Sequence, residues 1–105
     1  MLQVTPSKNT LGATVEGVDL SADLPAAALQ SVVQALGRYG VIRFPRQTLC
    51  AAALKNFSAH LGELEINVIG AFQEPQHPEV MTLSNIVENG KPIGLGDAGQ
   101  SWHAD

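Results

Sequence analysis

The hydrophobic pattern changes period several times along the chain. Residues 13–18 put Ala13, Val15 and Gly17 in alternation with Thr14 and Glu16, the spacing of a half-buried strand. A turn over residues 19–23 follows. Leu29, Val32, Val33 and Leu36 then recur at i, i+3, i+4 and i+7, which predicts an amphipathic helix. Asp23 is its expected cap, Pro25 lies early where no amide hydrogen is needed, and Gly37 or Gly40 ends it near Tyr39. Residues 41–44 read as a short strand closed by Pro45.

Thr48 is the expected cap of a second helix running through Leu61, with Leu54, Phe57 and Leu61 on its buried stripe and Gly62 beyond its end. Alternation returns over residues 64–69, a third strand. Pro75 and Pro78 make residues 73–78 a loop, and residues 80–83 read as a further strand. Residues 85–101 form a polar, glycine-rich connection, long enough to be a lid or ligand-binding segment. There is no internal repeat and no low-complexity tract. Strands mixed with helices define an α+β or α/β chain; periodicity does not separate the two.

Composition narrows the class of partner. The 105 residues carry six Lys and Arg against ten Asp and Glu, a net charge of −4. Nucleic acid and anionic membranes both require concentrated positive charge, so neither is expected as the main partner. The longest apolar run, residues 49–54, is far below the roughly 20 residues that span a bilayer. No basic start followed by an apolar core marks a secretion signal, and the single Cys50 forms no internal disulfide, so a cytoplasmic location is expected. Cys50 itself reads as a small packing residue.

The candidate chemistry lies at the end of the chain. His103 and Asp105 stand at i and i+2, a spacing that puts an imidazole and a carboxylate on one face of an extended segment. Two histidines and one carboxylate on one face of iron(II) leave the opposite positions open for substrate and oxygen; two of those three ligands are present here. His77 and Glu79 repeat the spacing, but Pro78 between them disfavours a regular strand and points to an exposed turn. His60, late in the second helix, complements the helix's negative end. Arg43 and Arg46 read as solvated cations. Gly94, Gly96 and Gly99 spell the glycine pattern of a dinucleotide turn, which works only between a strand and a helix. The alternative function is therefore a non-catalytic small domain that binds a nucleotide or a protein partner through this glycine-rich loop.

The order of several short motifs adds a resemblance. Leu11-Gly12-Ala13 through Gly17-Val18-Asp19-Leu20, Tyr39-Gly40-Val41-Ile42-Arg43-Phe44 with Gln47, Leu61-Gly62-Glu63-Leu64, His77-Pro78-Glu79-Val80 and Trp102-His103-Ala104-Asp105 together resemble the N-terminal part of the taurine dioxygenase family. That family comprises iron(II)- and 2-oxoglutarate-dependent dioxygenases, and the resemblance covers nearly the whole chain. It implies an α+β fold: the front of a double-stranded β-helix, or jelly roll, with outer helices, of which residues 1–105 are a single partial domain.

It also implies His103 and Asp105 as the first two metal ligands, with Fe(II) as cofactor and 2-oxoglutarate as co-substrate. The second histidine ligand, the arginine that grips 2-oxoglutarate and most jelly-roll strands are then expected beyond Asp105, and residues 1–105 alone are expected to be inactive. The implied reaction hydroxylates a small organic molecule with O2, a sulfonate or carboxylate being the candidate polar group. In taurine-specific members a histidine and an asparagine occupy the positions of Asn67 and Gly99. These two are thus the candidate substrate-binding positions, and their identity argues against taurine itself. A homo-oligomer is compatible with the resemblance.

Overall fold

The computed structural model describes residues 1–103. Its contacts divide the chain into two compact units, Met1–Glu63 and the residues from Leu64 onward.

The first unit is built on a three-stranded sheet of order β1-β2-β3. β1 (Gln3–Pro6) pairs antiparallel with β2 (Ala13–Glu16), Val4 opposite Val15. β2 pairs in parallel with β3 (Ile42–Arg43), Ala13 opposite Ile42. A parallel neighbour requires a crossover, and helix α1 (Ala26–Tyr39) supplies it. Two amides splice the pieces together: Gly12 N–H donates to the Tyr39 carbonyl and Ala13 N–H to the Val41 carbonyl, each at 2.9 Å. β1 is absent from the sequence expectation because Val4 is its single apolar residue besides the terminal Pro6. Its place comes from pairing with β2.

The expected alternation of β2 holds. Ala13 and Val15 are buried against α1, while Thr14 and Glu16 are only partly covered. On their outer side Arg43 Nε donates to Thr14 Oγ1 at 2.9 Å, and Arg46 pairs with Glu16 at 2.7 Å. These arginines are exposed but not merely solvated. An exposed pair of this kind contributes about 0–1 kcal/mol.

Helix α1 is present but rotated from its expected stripe. Val32 and Ala35 are buried and Ala28, Leu29, Ser31 and Tyr39 half-buried, so Leu29 and Val32 hold their expected places, whereas Val33 is 50% exposed and Leu36 37%. The alanines let the helix lie close on the sheet, and Val32 of α1 and Val15 of β2 are both fully buried. Asp23 does not cap α1; Pro25 occupies the cap position without a side-chain cap bond. The reason is local: the ring of Pro25 disfavours helical geometry at Leu24, so the helix cannot begin before it. Gly40, not Gly37, closes the helix, with φ of 78° and its N–H on the Leu36 carbonyl at 2.9 Å.

Helix α2 (Ala51–Ala59) is shorter than expected at both ends, and Cys50 rather than Thr48 stands at its N-cap. The chain before it is committed elsewhere. Gln47 Oε1 accepts the Leu20 N–H at 2.9 Å, and its Nε2 donates to the Val18 carbonyl at 2.9 Å. This amide bridge fastens the turn after β2 to the approach to α2. Cys50 is exposed rather than packed. Ala53 is the buried residue of α2, with Phe57 half-buried and edge-on to Phe44 at 5.6 Å; Leu54 and Leu61 remain 41% and 46% exposed. In the turn, Asp19 accepts both the hydroxyl and the backbone N–H of Ser21. These bonds, the hydroxyl's foremost, hold its carboxyl below the usual carboxylate range.

The second unit consists of two hairpins. β4 (Gln73–Glu74) and β5 (His77–Met81) pair antiparallel around Pro75 and Gln76, with a register shift between Gln73 and Glu74. Residues 73–78 are therefore not a loop, and His77-Pro78-Glu79 is strand rather than exposed turn: His77 and Glu79 are half-buried. Pro78 is tolerated because β5 pairs on one side only and the ladder is irregular there.

β6 (Val87–Glu88) and β7 (Lys91–Pro92) pair across Asn89 and Gly90. Both turn residues have positive φ, 51° and 75°, the geometry of the tight hairpin that Asn-Gly favours. The expected long connection over residues 85–101 is thus interrupted by a hairpin. The expected strand over residues 64–69 is absent. Without a partner for its ladder, this segment turns at Asn67, and Val68 is fully exposed.

Among the described residues of this unit only Gly94 is buried. No helix among the described residues is long and apolar enough to cross a membrane.

Candidate metal centre

The approach to His103 begins at a backbone crossing. Leu83 and Leu95 form a parallel bridge, with Leu95 N–H on the Thr82 carbonyl at 3.0 Å and Ser84 N–H on the Leu95 carbonyl at 3.2 Å. Gly94 permits this approach. A Cβ there would stand 2.8 Å from the Ser84 nitrogen and 2.9 Å from the Thr82 oxygen. Both are main-chain atoms that cannot swing aside, so Gly94→Ala in the full-length chain is expected to cost about 1–3 kcal/mol. Hydrogen exchange checks it: the Ser84 and Leu95 amides should lose protection while those of β2 and α1 keep theirs.

The glycine pattern therefore serves a crossing, not a dinucleotide turn. No helix follows Gly99 among the described residues, so the described chain offers no helix N-terminus for a pyrophosphate.

Past Gly96 the chain runs without regular structure to His103. Gly99 bends it with φ of 80°, and residues Gly99, Gln100, Ser101, Trp102 and His103 line a hollow of about 440 Å³. The His103 ring is exposed, and its Nδ1 lies 2.8 Å from the Ser101 carbonyl oxygen. A carbonyl oxygen only accepts, so in this hydrogen bond Nδ1 is the donor. An exposed imidazole is a side chain that can ligate a divalent metal. Histidine ligands characteristically donate their other ring N–H to a carbonyl or carboxylate.

The partner expected for His103, Asp105, lies outside the described residues, as does Ala104. Among the described residues no group of three or more His, Cys, Asp or Glu gathers in a metal-binding cluster.

The two candidate substrate positions differ in character. Asn67 is exposed, and its Oδ1 accepts the Ile69 N–H at 2.9 Å, so its carbonyl holds a turn. Gly99 lies beside His103: a Cβ there would stand 3.8 Å from His103 Cε1. Sequence reasoning missed the Ser101 carbonyl, a backbone group that no side-chain pattern announces. It also missed the β6–β7 hairpin, for which Asn89-Gly90 was the available signal.

Comparison with known proteins identifies the family. Residues 3–105 match the family described as taurine catabolism dioxygenase TauD, TfdA family; the chain belongs to that family. It is 31% identical to pentalenolactone F synthase of Streptomyces arenae over 107 residues, covering 99% of this chain and 36% of that protein.

Among solved structures, one assigned as an alpha-ketoglutarate-dependent taurine dioxygenase from Burkholderia xenovorans is similar with a TM-score of 0.73 and 32% identity. That match covers 84% of this chain and 32% of its own. A taurine dioxygenase from the same organism is similar with a TM-score of 0.68 and 31% identity, over 73% of this chain and 28% of its own. The chain thus spans about a third of the length of the relatives it matches.

Proposed function

We propose that this chain supplies the N-terminal section of an iron(II)- and 2-oxoglutarate-dependent dioxygenase that hydroxylates a small organic molecule. In this reading residues 1–105 are one partial domain, the front of a jelly roll whose remaining strands come from further chain. The observation that carries the reading is His103, an exposed imidazole whose Nδ1 meets the Ser101 carbonyl, inside a family match that reaches Asp105.

His103 and Asp105 would hold the metal. Bound iron with 2-oxoglutarate supplies the oxidising power, which protein side chains lack. The chain's own residues do the rest. The Ser101 carbonyl orients the ligand ring, and Gly99 leaves the space beside it free of a side chain. Asn67 presents its remaining amide donor to a polar group of the substrate, a sulfonate or carboxylate. Taurine is disfavoured as that substrate, because neither Asn67 nor Gly99 carries the side chain of the taurine-specific members. A cytoplasmic location accords with the single unpaired cysteine.

The test is anaerobic loading of the full-length chain with iron(II), followed by oxygen and 2-oxoglutarate. Release of succinate and carbon dioxide that requires both supports the reading. The first 105 residues alone, lacking the third ligand, are expected to bind iron weakly and to release neither product. Equal turnover by the two would overturn it.

A further inference from the structure

The β6–β7 hairpin turns on Asn89 and Gly90, both in the left-handed region at φ of 51° and 75°. Its pairs are Glu88 with Lys91 and Val87 with Pro92, and the Ile93 N–H on the Ile86 carbonyl at 3.1 Å closes the base. Every residue from 85 to 93 is exposed, so among the described residues no packed side chain holds the hairpin shut. Two-stranded hairpins are marginal in water, and segments of this kind open locally while the rest of a fold stays intact.

An opened Asn-Gly turn has a chemistry of its own. Asparagine is a thermolabile residue, and its side-chain carbonyl carbon lies within reach of the next main-chain nitrogen. Gly90 has no Cβ to stand in the way. The chain carries five asparagines, and the other four precede Thr10, Phe57, Val68 and Ile86. Three of those neighbours are β-branched and stiff, and the fourth pair, Asn56-Phe57, is held inside α2. Asn67 is further restrained, since its Oδ1 accepts the Ile69 N–H at 2.9 Å. Only Asn89 combines an unhindered neighbour with a turn that opens.

We infer that Asn89-Gly90 is a self-modification site, at which Asn89 converts to aspartate and isoaspartate without an enzyme. The Gly90 nitrogen gives up its proton and bonds to Asn89 Cγ. The bond from Cγ to the side-chain nitrogen breaks, ammonia leaves, and a five-membered imide remains. Water then opens the ring. Addition at Cγ yields aspartate, and addition at the main-chain carbonyl carbon yields isoaspartate, whose main chain runs through Cγ. One water enters, one ammonia departs and nothing is oxidised or reduced. Isoaspartate adds a main-chain carbon to a two-residue loop whose register leaves no room for it, so β6 and β7 no longer close and Ile93 N–H loses its partner. Ile93 leads directly into Gly94, so the change loosens the approach to the main-chain crossing. This inference is independent of the dioxygenase reading and stands or falls without it.

The test ages the full-length chain in warm, mildly alkaline buffer and maps its peptides by mass spectrometry. The mass gain of an amide turned acid should fall on Asn89 and not on the other four asparagines. Two products should separate, one of them accepting a methyl group from a carboxyl methyltransferase specific for isoaspartate. Hydrogen-exchange protection of the Ile93 amide should fall in step with that product. An intact Asn89, or equal conversion of all five asparagines, overturns the inference.

Gly90→Ala separates the chemistry from simple exposure. A Cβ at Gly90 meets nothing within 4 Å, but alanine is strained at positive φ, so the turn loosens while the attacking nitrogen is hindered. Loss of the modification in this looser hairpin supports the inference; conversion at the wild-type rate or faster overturns it.

Discussion

Replacing His103 by alanine in the full-length chain is expected to remove metal binding and, with it, all 2-oxoglutarate-dependent turnover. The ring is exposed and packs into no core, so the substitution leaves no cavity and no orphaned buried group. Its effect should therefore be confined to chemistry. Loss of a ligand itself should exceed the about 10–100-fold in affinity that loss of an outer-shell partner costs. Titration with iron(II) or manganese(II) measures the first effect and succinate release the second. Hydrogen exchange over residues 1–63 should be unchanged, which shows that the fold survives. Wild-type affinity in His103→Ala would remove the metal-ligand assignment and leave the family match without a site in this part of the chain.

The second large effect concerns the polypeptide of residues 1–105 alone. Its amides should divide into two classes: those of β2, β3 and α1 protected from hydrogen exchange, those after Glu63 exchanging at nearly the rate of an unfolded chain. The first unit has a core, small but continuous, of Ala13, Val15, Leu20, Val32, Ala35 and Ala53. The second has none among its described residues: Ile66, Val68, Ile69, Leu83, Ile86 and Val87 are all more than half exposed. Isolated two-stranded hairpins are at best marginally stable in water. Ordering each residue costs about 1–2 kcal/mol, and there is no apolar burial here to offset it. In a longer polypeptide carrying the rest of a relative's length, the same amides should gain protection, because its strands would cover those side chains. Strong protection after Glu63 in residues 1–105 alone would contradict the partial-domain reading.

The same contrast explains which features were legible in advance. The alternation in β2, the helical period of α1 and the glycine closing it are local signals, and each appears in the structure. Expectations failed where the deciding contact is non-local or where two local signals compete. Asp23 loses the cap of α1 to the steric effect of Pro25, and Thr48 loses that of α2 because Gln47 is tied to Val18 and Leu20, more than 25 positions away. Residues 64–69 have strand alternation but no strand, since alternation states which face a strand would bury and not whether a neighbour exists to pair with it. Conversely, Pro78 sits in a strand, because β5 has an unpaired side that makes no demand on the missing amide.

The sequence by itself determined the α+β composition, the family, and the placing of His103 two residues before Asp105, because residue order and spacing are one-dimensional properties. Tertiary structure alone decided which side of α1 is buried, how Gly94 lets two main-chain segments cross, and that the Ser101 carbonyl meets the ring of His103. Those depend on atoms brought together through space. In the last case the atom is a main-chain oxygen that every residue possesses, so no reading of side chains could have singled it out.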